Sequence, residues 1–150
     1  MNYKYDIFIK NGNTIIDEKK EKLNIGILDG KIQLITTSSN HKAKQVIDAK
    51  NLIILPGIID SQVHFREPGS IHKENMESGT KGAILGGVTS IFEMPNTYPP
   101  TATKRLLNQK FKLAKNRMWS NYAFFAGATG NNIDKLSSLE KVPGCCGIKI

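Results

Sequence analysis

The sequence is poor in cysteine, which argues against a disulfide scaffold. Its two cysteines are neighbours, Cys145 and Cys146. Adjacent residues on a strand point to opposite sides, so these two cannot readily form a normal disulfide. A metal site built on them would need further soft ligands, and the sequence has no other cysteine. We therefore expect both to be small buried residues.

The chain also lacks a long hydrophobic run. No apolar stretch reaches the roughly 18 residues of a membrane span, and no apolar signal core follows the first residues. Hydrophobic residues make up 39% of the sequence and charged residues 23%, which is typical of soluble globular proteins. The sequence therefore predicts a cytoplasmic protein that does not contact a membrane.

Acidic residues are outnumbered by basic ones. The formal net charge is +8, which raises the question of nucleic-acid binding. The basic residues are scattered, however, and no aromatic residues alternate with them to form a stacking platform. We expect a solvated lysine-rich surface and no nucleic-acid partner. The largest basic group, which falls mostly on the polar side of one amphipathic helix, comprises Lys104, Arg105, Lys110, Lys112, Lys115 and Arg117.

Residues 1–52 have the pattern of a small β unit. Apolar and polar residues alternate from Tyr5 to Lys10, and Asn11-Gly12 predicts a turn after them. Asp29-Gly30 lies between two further apolar stretches and predicts a type I′ hairpin. Because so small a meander is marginal alone, we expect it to pack on the rest of the chain.

Residues 53–150 change to apolar strands that alternate with helices, which is typical of a parallel α/β sheet. The pattern predicts strands near 58–65, 88–94, 119–126 and 147–150, and helices near 73–85, 103–117 and 133–139. The sequence stops inside the fourth strand, which would leave a sheet edge unpaired. We therefore expect a truncated, N-terminal fragment of a longer barrel protein.

The groups best suited to chemistry follow the first of these strands. If residues 58–65 are extended, the side chains of Asp60, Gln62 and His64 share one face. Glu67-Pro68-Gly69 should end the strand. Because barrels and open α/β sheets carry their active sites at the carboxyl ends of the strands, we expect a metal- or proton-binding site there.

This stretch resembles the dihydroorotase family (class I-like) of the amidohydrolase superfamily. Its most specific segments are Phe65-Arg66-Glu67-Pro68-Gly69 and Met94-Pro95-Asn96-Thr97. The resemblance implies the N-terminal part of a TIM-type (β/α)8 barrel, preceded by half of a small β-sandwich that the two ends of the full protein complete. It also implies zinc, and the interconversion of N-carbamoyl-L-aspartate and dihydroorotate in pyrimidine biosynthesis.

The same resemblance implies metal ligands. His64 matches the second histidine of the family's metal motif, and imidazole is a good zinc ligand. Gln62 stands where the first histidine is expected, and a neutral amide binds zinc more weakly than imidazole does. The number of zinc ions, one or two, therefore remains open. Lys149, in a predicted buried strand, is a candidate for a carbamylated lysine that bridges two metals. The alternative is a lysine that reaches the surface at the end of the strand.

The resemblance also implies two substrate ligands, Arg66 and Asn96. A guanidinium fork suits the carboxylate that both forms of the substrate carry. The alternatives are a surface salt bridge from Arg66 to Glu67 or Glu74, and a turn-forming role for Asn96 after proline. We assign no catalytic acid or base in these residues and expect it beyond residue 150.

The sequence supports three functional hypotheses. The first is a dihydroorotase whose fragment alone has no turnover. The second, which Gln62 motivates, is a non-catalytic relative that acts as a scaffold for aspartate transcarbamoylase. The third is another cyclic amidohydrolase, such as an allantoinase. The expected partners are a small-molecule substrate and either aspartate transcarbamoylase or further copies of the chain.

Overall fold

The computed structural model describes residues 3–150, which form two compact units that meet in sequence at Pro56 and Gly57. The division follows the short strand Ile53–Ile54, which pairs with the first strand of the chain and so belongs to the first unit. None of the helices in residues 3–150 combines the length and apolar character of a membrane span.

The first unit is one mixed sheet. Its strands are β1 (Tyr5–Ile16), β2 (Lys19–Leu28), β3 (Lys31–Thr36), β4 (Ala43–Asp48) and β5 (Ile53–Ile54). The order is β3-β2-β1-β4, with β5 also beside β1. The first three strands are antiparallel neighbours, whereas β4 and β5 run parallel to β1. A small core of Tyr5, Phe8 and Ala43 packs on this sheet.

The turns of this sheet follow the sequence only in part. Asp29 and Gly30 have φ values of 50° and 71°, as a type I′ turn requires. The predicted hairpin is therefore confirmed. The predicted turn at Asn11-Gly12 is wrong, because these residues lie inside β1, where the register with β2 shifts. Asn-Gly therefore forms a bulge here. The chain reverses instead at Asp17-Glu18, both with positive φ.

The second unit contains a parallel sheet of four strands in the order β6-β7-β8-β9. Its elements are β6 (Ile58–Val63), α1 (Met76–Leu85), β7 (Val88–Glu93), α2 (Lys104–Ala114), β8 (Asn121–Gly127), a 3-10 turn (Ile133–Lys135), α3 (Leu136–Glu140) and β9 (Cys145–Lys149). The predicted alternation of strands and helices is thus confirmed. Helix α1 begins later than predicted because the Asn75 side chain caps it, accepting a hydrogen bond from the Ser78 N–H.

The core of this unit lies between the sheet and its helices. Ile91 of β7 and Phe124 of β8 are fully buried against Met76 of α1 and Leu107 of α2. Phe65, just after β6, joins the same cluster. These contacts fix the carboxyl end of β6 to the helical layer, which matters because the candidate site begins there.

Helix α1 contains two glycines whose surroundings differ sharply. A Cβ added at Gly79 would lie 2.4 Å from a ring carbon of buried Phe65, whereas one at Gly82 would meet nothing within 4 Å. We expect Gly79→Ala to destabilise the protein by about 1–3 kcal/mol through overpacking. Gly82→Ala should stabilise it by about 0.5–1 kcal/mol through helix propensity.

Urea unfolding of the two variants in the full-length protein measures this difference. The two substitutions are chemically identical and lie on one helix, so each serves as the control for the other. Equal effects of the same sign would show that Phe65 does not pack on Gly79 as described.

Candidate functional site

Two side chains meet at the carboxyl ends of neighbouring strands. His64 directly follows β6, and Asn96 lies in the loop after β7. Nδ1 of His64 is 2.8 Å from Oδ1 of Asn96. An amide oxygen can only accept, so Nδ1 carries the proton in this hydrogen bond. The lone pair of Nε2 then remains available to bind a ligand.

The backbone around this contact is held by the sheet and the core. The Met94 N–H donates to the Val63 carbonyl over 2.8 Å, which extends the pairing with β6 one residue beyond the end of β7. Val63 and Phe65, on either side of His64, both pack on the apolar cluster. The imidazole is therefore carried by a short segment whose neighbours are fixed.

The regular alternation predicted along β6 is interrupted. Its register with β7 shifts between Asp60 and Val63. The Asp60 carboxylate turns back to its own strand and accepts a hydrogen bond from the Gln62 N–H over 3.0 Å. Among residues 3–150, no hydrogen bond joins the Gln62 side chain to His64. The structure therefore joins the His64 side chain to Asn96 by a hydrogen bond, whereas the Asp60 carboxylate is bonded to its own strand.

Arg66 is exposed and has no partner for its guanidinium among the described residues. The alternative salt bridge to Glu67 or Glu74 is therefore not formed. Glu67 instead binds Arg117, with Nη1 to Oε1 at 2.6 Å and Nη2 to Oε2 at 3.2 Å. Burial raises the pKa of the Glu67 carboxyl, but hydrogen bonds from Arg117 and the Met76 N–H outweigh this and the net pKa is lowered.

A second ion pair, between Glu93 and Lys110, is deeply buried. Lys110 Nζ lies 3.1 Å from Glu93 Oε2, and the two side chains are 1% and 0% exposed. Burial raises the pKa of Glu93 to about 7, although the charge of Lys110 acts in the opposite direction. Burial also lowers the pKa of Lys110. Neither carboxylate oxygen of Glu93 has an aligned hydrogen-bond donor within residues 3–150.

The sequence interpretation placed Lys110 with the solvated lysines, and this is wrong. Lys110 follows buried Leu107 by three positions and precedes buried Ala114 by four, so it lies on the packed side of α2. That spacing was the available signal. Glu93, at the end of β7, supplies the buried partner that makes a lysine tolerable there.

Lys149 does not occupy the buried position that the sequence predicted. Its side chain is exposed at the end of β9, opposite Gly127 of β8. The register between these strands shifts between Phe124 and Phe125, so β9 does not follow a simple alternation. The two cysteines of β9 are likewise half-buried rather than buried.

The predicted zinc site is only partly represented. Among residues 3–150, no group of three or more His, Cys, Asp or Glu residues could hold a metal ion. His64 offers an imidazole, Gln62 a neutral amide and Lys149 an exposed amine. Of these three residues only His64 is a good zinc ligand, so together they do not form a complete metal site.

The chain is similar to several known proteins. A family described as "Amidohydrolase family" matches residues 53–141. The allantoinase of Escherichia coli O1:K1 / APEC is 38% identical over 146 residues, which are 97% of this chain and 32% of that protein. The allantoinase of Salmonella paratyphi B is 37% identical with the same coverage.

Solved structures give the same picture of the fold. L-Hydantoinase (dihydropyrimidinase) from Arthrobacter aurescens superposes with a TM-score of 0.87 at 27% identity, covering 96% of this chain and 32% of that one. D-Hydantoinase from Thermus sp. gives a TM-score of 0.73 at 25% identity, covering 89% and 30%. The chain thus spans about a third of the length of these relatives.

Proposed function

Because the chain belongs to the amidohydrolase family, we propose that the full-length protein hydrolyses the amide bond of a small cyclic substrate. The observation that supports this best is the hydrogen bond between His64 and Asn96 at the carboxyl ends of β6 and β7. It orients the imidazole and leaves Nε2 with a lone pair. Among the described residues, no other histidine is held against a strand-end side chain in this way.

We propose that His64 is one ligand of a metal ion, with zinc as the expected element, and that the other ligands lie outside these 150 residues. When bound, such an ion polarises an amide carbonyl and lowers the pKa of a bound water. The part played by this chain is orientation. Asn96 fixes the ring of His64, and the paired ends of β6 and β7 fix both side chains.

A cyclic ureide such as allantoin is the first substrate we propose. The relatives at 38% and 37% identity are allantoinases, and their similarity extends over 97% of this chain. These relatives and the hydantoinase structures include no dihydroorotase, so the first functional hypothesis receives no support from them. The third hypothesis, another cyclic amidohydrolase, is the one they favour.

Dihydroorotate remains a second candidate because of one specific observation. Arg66 is exposed two residues after His64, and its guanidinium has no partner among the described residues. A free guanidinium suits a ring that carries a carboxylate, as dihydroorotate does and allantoin does not. The Asn96 amide keeps its nitrogen for such a substrate while its oxygen contacts His64.

Turnover of allantoin, hydantoin and dihydroorotate by the full-length protein, with and without Arg66→Ala, separates these candidates. We expect ring opening of at least one substrate. If the substrate is dihydroorotate, Arg66→Ala should raise KM by about tenfold or more, because a charged hydrogen bond contributes about 1.5–3 kcal/mol. Turnover of allantoin should be much less affected.

A matched control is Lys73→Ala, which removes an exposed cation from the same loop and should leave all three reactions unchanged. Absence of turnover with all three rings would contradict the proposed function. If the inactive full-length protein also contained no metal and still bound aspartate transcarbamoylase, the scaffold hypothesis would replace it.

A further inference from the structure

One carboxylate anchors the loop that carries Arg66. Glu67 follows Arg66 directly, and its side chain is only 8% exposed. Both of its oxygens contact the guanidinium of Arg117, at 2.6 and 3.2 Å. Oε2 also accepts a hydrogen bond from the N–H of Met76, the first residue of α1, over 2.9 Å. Glu67 therefore joins this loop to the start of α1 and to the segment that follows α2.

The far side of this anchor is itself fixed. Arg117 Nη1 donates a second hydrogen bond to the Leu113 carbonyl in α2, over 3.2 Å. Its Nε lies 3.9 Å from Glu77, a looser contact with a carboxylate that is 58% exposed. The guanidinium is thus held by the end of α2 while it binds the loop. The position of the loop is therefore fixed relative to a rigid helix.

Arg66 needs such support because its backbone is unusual. Its φ is 65°, in the left-handed region that few non-glycine residues adopt. The Arg66 carbonyl accepts the N–H of Ser70 over 2.9 Å, and the Pro68 carbonyl accepts the N–H of Tyr98 over 3.1 Å. A conformation of this kind persists only where its surroundings hold it. Glu67 is the adjacent residue through which α1 and α2 do so.

The ion pair also determines which charges remain free. By sequence alone, Glu67 is the nearest acidic partner for Arg66. In the structure Glu67 is bound to Arg117, fifty residues later in the chain. An internal carboxylate on Arg66 would compete with any anionic ligand. Because Glu67 is occupied, the Arg66 guanidinium stays available to a carboxylate from outside.

We propose that Glu67 and Arg117 form a positioning pair that sets the backbone of Arg66 and keeps its guanidinium free for a carboxylate carried by the ring substrate. This role rests on the proposed function and on its second candidate substrate, because the anion is taken to be the carboxylate of a ring such as dihydroorotate. Neither Glu67 nor Arg117 touches the ligand. Both act through Arg66, so they determine preference for an anionic ring rather than the chemistry of ring opening.

Binding of orotate and uracil to the full-length protein tests this role, because the two share a ring and differ in the carboxylate. The principal variant is Glu67→Gln/Arg117→Met, which removes both charges and leaves no unpaired buried ion. Calorimetry should show that the wild type prefers orotate. The double variant should lose about tenfold of that preference, since small displacements of a binding group carry large costs, while its affinity for uracil is unchanged.

Glu77→Gln is the matched control, because it removes the other carboxylate near Arg117 without touching Glu67. It should retain the wild-type preference. Arg117→Lys keeps the charge but not the two-point contact, so it should retain part of the preference. This variant also provides the comparison if the double variant does not fold.

Two results would overturn the positioning role. One is a folded double variant, or an Arg117→Lys variant, with the full wild-type preference for orotate. The other is a wild type that binds orotate no more tightly than uracil. The comparison measures binding and needs no turnover. A protein that opens none of the rings tested would refute the proposed function, and the binding of orotate and uracil would still test the positioning role separately.

Discussion

Replacing His64 by alanine should reduce kcat/KM of the full-length protein more than about 100-fold toward whichever cyclic amide it hydrolyses. Removing a residue that only supports a metal ligand typically costs 10- to 100-fold, on the order of 1–3 kcal/mol, and removing the ligand should cost more. His64 follows β6 with Nδ1 hydrogen-bonded to Asn96 over 2.8 Å, which leaves Nε2 as its free ligating atom. Steady-state kinetics and metal content of the purified variant measure the effect.

Two Asn96 variants separate orientation of His64 from simple loss of a polar residue. Asn96→Leu removes the oxygen that accepts from Nδ1 and should weaken metal binding about 10- to 100-fold. Asn96→Asp retains an acceptor at nearly the same place and should keep most of the affinity. His72→Ala, an exposed histidine in the loop after β6, is the control and should have no effect.

Two results would contradict these predictions. If His64→Ala keeps wild-type kcat/KM and metal content, the imidazole is not part of the reaction site. If Asn96→Leu and Asn96→Asp behave alike, the hydrogen bond between the two residues does not orient the ring.

Lys110→Met should destabilise the full-length protein by about 3–5 kcal/mol, because it leaves the buried Glu93 carboxylate without a counter-charge. Lys110 Nζ lies 3.1 Å from Glu93 Oε2 and 3.3 Å from the Met94 carbonyl. It also lies 5.1 Å from the centre of the Phe124 ring. One ammonium therefore neutralises the end of β7 and contacts β8. Methionine occupies a similar volume, so the loss reflects charge rather than a cavity.

Denaturant unfolding of three variants tests this explanation. Glu93→Leu/Lys110→Met removes both charges and should recover most of the lost stability, since buried ion pairs are often replaceable by apolar residues. Lys112→Met, on the exposed side of the same helix, should lie within about 0.5 kcal/mol of the wild type. A single Lys110→Met variant as stable as the Lys112→Met control would contradict the described pair.

The order of elements in the second unit could be predicted from the sequence because its signals are local. Apolar strands and amphipathic helices differ in hydrophobic period, and the Thr103 cap of α2 follows from residue type, with its side chain accepting the Leu106 N–H. The Asp29-Gly30 turn is equally local, since both residues tolerate a positive φ. A site at the carboxyl ends of the strands was also predictable, because parallel strands align these ends, and the structure brings His64 and Asn96 together there.

Features that depend on partners distant in sequence could not be predicted. Asn11-Gly12 has a turn composition, but pairing of β1 with both β2 and β4 retains it inside a strand as a bulge. Glu67 could have paired with Arg66 by proximity, and only the packing of α2 brings Arg117 to it. The burial of Lys110 depends in the same way on Glu93 from another element.

The function, like the fold, could be predicted from the sequence only in part. The strand-end motif was sufficient to indicate the amidohydrolase superfamily, and the family match agrees with that level of description. The choice among rings depends on what lies around Arg66. A guanidinium that is free in the described residues favours an anionic ring, while the similarity to allantoinases favours a neutral one. Orotate and uracil binding addresses this choice directly.

We expect His64, oriented by Asn96, to present Nε2 to a metal ion at the carboxyl end of β6. Anomalous diffraction from crystals of the full-length protein at a metal absorption edge measures this directly. We expect a peak about 2.0–2.1 Å from Nε2 of His64, with Nδ1 still bonded to Asn96. A metal peak elsewhere in the protein, with the His64 ring bonded only to protein atoms, would show that His64 is not a metal ligand.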